Sequence, residues 1–171
     1  MEHAVKRGWC IAAVVALALS GCASIDGRGL VPGRSTEAEV VALMGAPVHQ
    51  VASPEGGRAL YFARMPEGRA VYVVAISPDG VMKSIEQRLV RSNLQYVLAG
   101  TSTMKDVRDL FGPPVGSGRM DRQARIWWEY KYEEDSLRRI VWVQFSDDGV
   151  VREVIDSTDW ERNDLCTPPF A

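Results

Sequence analysis

Three kinds of residue in this chain could do chemistry, and the first is a thiol. Leu19-Ser20-Gly21-Cys22 closes a segment that begins with Lys6 and Arg7 and continues as an apolar run over residues 9–19. That run is about half of the roughly 20 apolar residues that a membrane-spanning helix needs, and it ends in small residues, as a secretory signal does. Small residues followed at once by cysteine have the form of a lipobox. The expectation is that the Cys22 thiol receives diacylglycerol, that the bond after Gly21 is cut, and that residues 22–171 form the mature chain. A lipidated N-terminal cysteine carries more than one acyl chain, and stable anchoring needs more than one. Cys10 leaves with the signal and Cys22 is consumed, so Cys166 alone remains of the 3 cysteines and no internal disulfide can form. Cys166 lies in a polar, Pro-rich tail, where it is a free thiol or an intermolecular bridge; an incidental thiol is the plainer reading.

The second kind is the histidine and carboxylate set of hydrolases and metal sites. Of the 2 histidines only His49 belongs to the mature chain. One histidine without cysteines or paired acids beside it cannot close a metal site, and no Ser/His/Asp set exists without it. There is no Gly-x-Ser-x-Gly elbow. Glu133, Glu134 and Asp135 are consecutive, which suits a solvated hairpin better than the facing carboxylates of a glycosidase. Gly116-Ser117-Gly118 has the look of a flexible loop and lacks the lysine and helix of a phosphate loop. The chain therefore reads as no enzyme, with no metal and no cofactor. Lys6, Arg7 and Glu2 fall in the signal, and the 20 basic and 22 acidic side chains drop to 18 against 21. A net charge near −3 argues against nucleic acid, which needs clustered positive charge.

The third kind is aromatic, and what positions it is a repeat. Pro32-Gly33-Arg34-Ser35-Thr36, then Val40, Leu43, Gly45 and Pro47, returns as Ala99-Gly100-Thr101-Ser102-Thr103, then Val107, Leu110, Gly112 and Pro114. Further on, Leu60-Tyr61-Phe62 is matched to Trp127-Trp128-Glu129, and Ser77-Pro78-Asp79-Gly80-Val81 to Ser146-Asp147-Asp148-Gly149-Val150. Self-similarity at such a spacing marks duplicated supersecondary units. Thr36 with Glu39, and Thr103 with Asp106, form capping boxes that start a short helix. Val40, Leu43 and Met44, and again Val107, Leu110 and Phe111, share one helical face. Gly45 and Gly112 are expected to end the helices in the left-handed conformation, and Pro47 and Pro114 to keep them from resuming. Helices of about nine residues are not stable alone in water, so each must dock on a sheet.

Strand-like runs cover residues 59–65, 71–77 and 81–89 in the first copy and 125–133, 140–146 and 150–156 in the second, with a Pro-Glu-Gly turn at 66–68. The expected fold class is α+β: two tandem repeats, each a short helix packed on a three-stranded antiparallel meander. The expected boundaries are a signal at 1–21, a tether at 22–29, repeats at 30–91 and 92–158, and a polar tail at 159–171. Residues 92–99 have helical spacing and would join the halves. Strand alternation sorts the aromatics. Val141, Val143 and Phe145 should face the helix, leaving Trp142 and Gln144 on the other face. Trp128, Tyr130 and Tyr132 share one face, and Trp127, Glu129 and Lys131 the other. Trp127 and Trp142 thus fall together on the face away from the helix, with Gln144 beside them. They serve either as a partner surface, where Trp and Tyr dominate, or as a core between repeats packed edge to edge.

The order Gly-x-Ser-Thr, Val, Leu, Gly-x-Pro, aromatic strand, apolar strand, Asp-Gly, Val, given twice behind a lipobox, resembles the SmpA/OmlA (BamE-like) family of envelope lipoproteins. The likeness covers nearly all of residues 30–90 and 97–157. The resemblance implies helices packed on one face of an antiparallel sheet, attachment to the periplasmic face of the outer membrane, and a role in β-barrel protein assembly with an envelope protein partner. The family's assembly factor has one such unit. A tandem pair is similar to the secreted β-lactamase inhibitor protein, which implies an alternative, an inhibitor-like module binding a hydrolase through its aromatic sheet face. Ala23, rather than Asp, follows Cys22, which by analogy with lipoprotein sorting favours outer-membrane delivery.

Overall fold

The computed structural model describes residues 26–64 and 69–160. Gly21, Cys22, the expected turn at 66–68 and Cys166 lie outside those residues. The element order is α1 (Glu37–Met44), β1 (His49–Ala52), β2 (Arg58–Ala63), β3 (Val71–Ile76) and β4 (Met82–Gln87), then α2 (Met104–Phe111), β5 (Gly116–Met120), β6 (Arg125–Glu134), β7 (Leu137–Ser146) and β8 (Val151–Thr158). A 3-10 turn at Arg91–Tyr96 joins the copies where residues 92–99 were expected to be helical.

Each sheet has four antiparallel strands, β1-β2-β3-β4 and β5-β6-β7-β8. The three-stranded meander is therefore corrected: β1 and β5 are added at one edge of each sheet. Their sequences explain why strand signals miss them. His49-Gln50-Val51-Ala52 is four residues long, and Gly116-Ser117-Gly118 carries two residues that weaken an isolated strand. Pairing creates them. Val48 N–H donates to Tyr61 O at 2.8 Å, and Val115 N–H to Glu129 O at 2.9 Å, and antiparallel ladders continue from there.

Those two bonds also correct the alignment of the copies. The donors are 67 residues apart and the acceptors 68, so Leu60, Tyr61 and Phe62 correspond to Trp128, Glu129 and Tyr130. Opposite Tyr61 stands Val73, and opposite Glu129 stands Trp142, 69 residues on. The second copy thus gains one residue in each of two hairpins. The second of these hairpins turns through Asp135 and Ser136, both at positive φ. Both copies shift register at matching points, Ala75/Ile76 and Gln144/Phe145.

The helices start as the sequence indicates. Thr36 and Thr103 each accept from the N3 amide, while Glu39 and Asp106 accept from the cap residue's own N–H at 2.7 and 2.8 Å. They stop on Gly45 and Gly112, whose φ of 88° and 78° is positive but whose ψ of −168° and −166° is extended rather than left-handed helical. That region is open essentially to glycine alone, so the residue type was legible and the conformation was not.

Packing makes four layers. Val40 and Met44 of α1 bury against Leu60, Phe62, Val74, Ile76 and Met82 on one face of the first sheet. The opposite face of that sheet, Tyr61, Val71 and Val73, packs on Val107 and Phe111 of α2, and these in turn pack on Trp128, Tyr130, Val141, Val143 and Phe145 of the second sheet. The order is α1, first sheet, α2, second sheet. Tyr61 Oη donates to Asp109 O, Tyr130 Oη donates to Gly112 O at 3.1 Å, and Arg108 lies 5.0 Å over the Trp128 ring. The two copies are also clasped by Arg69, almost fully buried, which pairs with Asp159 at 2.6 Å. Within the second sheet Asp156 receives Arg139 in a two-pronged pair at 2.6 and 2.9 Å.

Candidate functional site

The repeat supplies an internal control for every position on the face of the second sheet turned away from α2. In the first sheet the matching face carries Ala59, Tyr61, Ala63, Val71, Val73 and Ala75, and α2 covers it. In the second sheet those positions hold Trp127, Glu129, Lys131, Ile140, Trp142 and Gln144. Three alanines, two valines and a tyrosine have given way to two indoles, two charges, an amide and an isoleucine. Neither hydrophobic core among the described residues includes Trp127, Ile140 or Trp142.

Register sets these residues in rows across the strands. Trp127 stands opposite Gln144, and Gln144 opposite Glu153. One step along, Glu129 stands opposite Trp142, and Trp142 opposite Ile155; then come Lys131 and Ile140. The two tryptophans are diagonal neighbours, a distance that large rings span. Edge strand β5 makes room for one of them. A Cβ on Gly118 would stand 2.7 Å from Cε2 and Cζ2 of Trp127, while one on Gly116 would keep an ordinary 3.5 Å from Glu129 and 3.6 Å from Trp127. The indole of Trp127 therefore lies across the glycine of its neighbouring strand. In the first sheet the matching cross-strand pair is Val51 with Ala59, so bulk has moved from one strand to the other.

Polar groups between the rings bond to one another. Trp142 Nε1 donates to Glu129 Oε2 at 3.2 Å, and Lys131 Nζ lies 3.9 Å from Glu129 Oε1. Arg125 Nη1 donates to Gln144 Oε1 at 2.6 Å and reaches Glu153 Oε2 at 3.4 Å. Glu129 is buried at 7% exposure and Gln144 at 2%, whereas both indoles are half-buried. A buried carboxylate or amide is tolerable only when bonded in this way. The network orients the Trp142 ring through Glu129, while the Trp127 ring is seated across Gly118. Such a surface presents rigid amphipathic area with little entropy left to lose on binding.

The other candidate residues have local roles. His49 lies on β1 against Tyr61, ring centroids 5.2 Å apart, with Nε2 buried and unbonded. It is part of the packing near α2. Glu133 and Glu134 end β6, and Asp135 opens the turn. Gly116-Ser117-Gly118 is a strand, not a loop. Pro47 and Pro114 follow the helix stops as expected. Trp160 is 82% exposed at the end of the described residues. Edge-to-edge packing of the repeats is corrected too: the core between the copies is built from Tyr61, Phe111, Trp128 and Tyr130, and Trp127 and Trp142 take no part in it. Sequence reasoning placed Glu129 on this face with Trp127 and Lys131 but gave it no role in the site, and it did not bring in Arg125 or Gly118. A cleft of about 230 Å³ beside the first sheet is lined by Arg58, Lys83 and Arg88, each already paired with a glutamate. No group of three metal-ligating side chains occurs among the described residues.

No protein-family model matches the chain, and no curated protein does. Among solved structures it is similar to the crystal structure of a DUF4309 family protein (YjgB) from Bacillus subtilis subsp. subtilis str. 168. The identity is 17%, the alignment covers 77% of this chain and 84% of that chain, and the TM-score is 0.29.

Proposed function

We propose that the mature chain is a lipid-anchored periplasmic binding or scaffold module of the bacterial outer membrane, BamE-like in kind, which seats an envelope protein on the outer face of its second sheet. In this reading it supports envelope or β-barrel protein assembly and is not itself a catalyst. The observation that carries the reading is the contrast between the two copies. The corresponding face of the first sheet, alanine and valine around Tyr61, is occupied by α2. At matching positions the second sheet presents Trp127, seated on Gly118, and Trp142, bonded to Glu129, with Lys131, Arg125 and Gln144 around them. Fixed tryptophans with a polar surround are what protein-binding surfaces are built from. The membrane partner is reached through lipid on Cys22, and no nucleic acid, metal or cofactor is called for.

The test is affinity purification of the full-length protein from crosslinked envelopes, beside a Cys22→Ser variant. The reading expects recovery of a β-barrel protein or an assembly component, and release of the variant from the membrane fraction. Recovery of a soluble hydrolase instead would favour the inhibitor-like alternative, which uses the same face. Recovery of nothing above background contradicts both.

A further inference from the structure

The first helix differs from the second on the side turned away from its own sheet. With Val40 and Met44 facing the sheet, the 100° step per residue turns Ala38 and Ala42 outward, and both are exposed. The matching residues of α2 are Lys105 and Asp109, which form an ion pair. Just beyond, a Cβ on Gly112 would meet the Tyr61 ring at 3.4 Å, whereas no described atom lies within 4 Å of one on Gly45. In the second copy the preceding sheet reaches only the C-terminal end of this side, at Asp109 and Gly112, while Lys105 stays exposed; in the first copy no described atom comes near Gly45. Ala46 is also exposed, and Val48 beside it is 51% exposed. The outcome is an apolar strip along α1 flanked at its start by Glu37, which pairs with Arg58, and Glu39, which is tied into the capping box.

The root of the N-terminal tether lies in the same layer. Gly27 is buried, with Ile85 so close that a Cβ would collide with it, and both Leu30 and Ile85 pack into the α1 core. Chain within the expected 22–29 tether is therefore already packed at Gly27. Three residues, 23–25, lie between Cys22 and Asp26, so the two are at most about 14 Å apart along the chain. At so short a tether the local concentration of bilayer surface around α1 is high, and weak apolar contacts count.

We infer that the strip of Ala38, Ala42, Gly45 and Ala46 on α1 rests on the bilayer surface and that the module stands on it with its second sheet uppermost. The inference rests on lipidation of Cys22 as proposed above. With layers stacked about 10 Å apart, the Trp127–Trp142 face then looks away from the bilayer, about 30 Å beyond α1. A partner is met from the periplasmic side rather than within the headgroups.

The test uses the lipidated protein in vesicles of outer-membrane phospholipid, with Cys166→Ser and one introduced cysteine carrying an environment-sensitive dye. Ala42→Cys is compared with Lys105→Cys and Glu153→Cys, using a quencher fixed on the lipid near the headgroup, and flotation is measured on the same samples. Expected is strong quenching at 42, at least threefold above 105 and 153. In the unlabelled protein, Ala42→Asp should abolish vesicle-dependent protection of α1 from hydrogen exchange without lowering Tm by more than a degree or two. Flotation with equal quenching at all three sites overturns the orientation and leaves the anchor standing. Failure to float overturns the anchor and the orientation with it. Sedimentation of a dimer in detergent whose contact shields position 42 also overturns it, in favour of a second copy on α1.

Discussion

Substituting alanine for either glycine of β5 should move stability in opposite directions, although the two sites are two residues apart. Neither glycine has a positive φ, so alanine fits the backbone at both and returns about 0.5–1 kcal/mol of strand stability. At Gly116 nothing opposes that gain, because the new Cβ would keep 3.5 Å or more from its neighbours. At Gly118 the Cβ would sit 2.7 Å from two ring atoms of Trp127 and 2.8 Å from Nε1. The indole must be displaced, and overpacking of this kind costs about 1–3 kcal/mol. The net is a loss of about 0.5–2 kcal/mol for Gly118→Ala. In a chain of this size that lowers Tm by about 2–6 °C, while Gly116→Ala raises it by about 1–4 °C. Thermal unfolding followed by circular dichroism measures both, and the indole N–H resonance of Trp127 should shift in Gly118→Ala alone. In a Trp127→Ala background Gly118→Ala should become stabilising. Changes of the same sign at the two glycines, or a penalty at 118 that persists without Trp127, would refute the packing of this ring on β5.

Further outcomes follow from the same geometry. Trp128→Ala should cost about 3–5 kcal/mol, because that ring is in the core between the copies, edge-on to Phe145 at 4.9 Å; Trp142→Ala should cost less than about half as much in chemical denaturation, and equal losses would contradict the assignment of faces. Glu39 and Asp106 are held below the usual carboxylate range, first by the cap residue's backbone N–H and then by its hydroxyl. Their contribution is complete above the unfolded values of about 4 and is lost as pH falls through the lowered folded values; Glu39→Gln with Asp106→Asn should flatten the acid limb of Tm against pH. Burial, and next the bond to Asp156, push the Tyr132 hydroxyl up to about 12, and burial also raises Tyr130. Stability tied to these groups is complete below pH of about 10 and drains away as pH rises through the folded values. Tyrosinate absorbance should therefore show a lagging fraction, and a single titration near 10 would contradict the packing.

How much of this could be read from the chain depends on which interactions are local. Helix caps and stops are encoded within a few residues, so Thr36, Gly45, Thr103 and Gly112 announce both helices. The face assignment of Trp127 and Trp142 follows from period-two alternation, another local rule. The edge strands were missed because β1 and β5 exist only by pairing: their own residues carry no strand signal, and the glycines of β5 read as a loop until the indole they accommodate is in view. The match of β2 to β6 is off by one residue in the sequence because a one-residue insertion reverses which side chains face the helix, and only the hydrogen-bond register places it. The layered stacking of the copies was likewise not legible. It depends on Tyr61 and Val73 meeting Val107 and Phe111, contacts between segments far apart in sequence.

The central claim is that the outer face of the second sheet is where a partner sits. It is tested most directly by a photocrosslinking amino acid placed at position 142 or 127 of the full-length protein in living cells, with the same group at Gln50, exposed on the first sheet, as control. The account predicts a discrete adduct with one envelope protein from 142 and 127 and none from 50. No adduct from either tryptophan position, or the same adducts from all three, would contradict it.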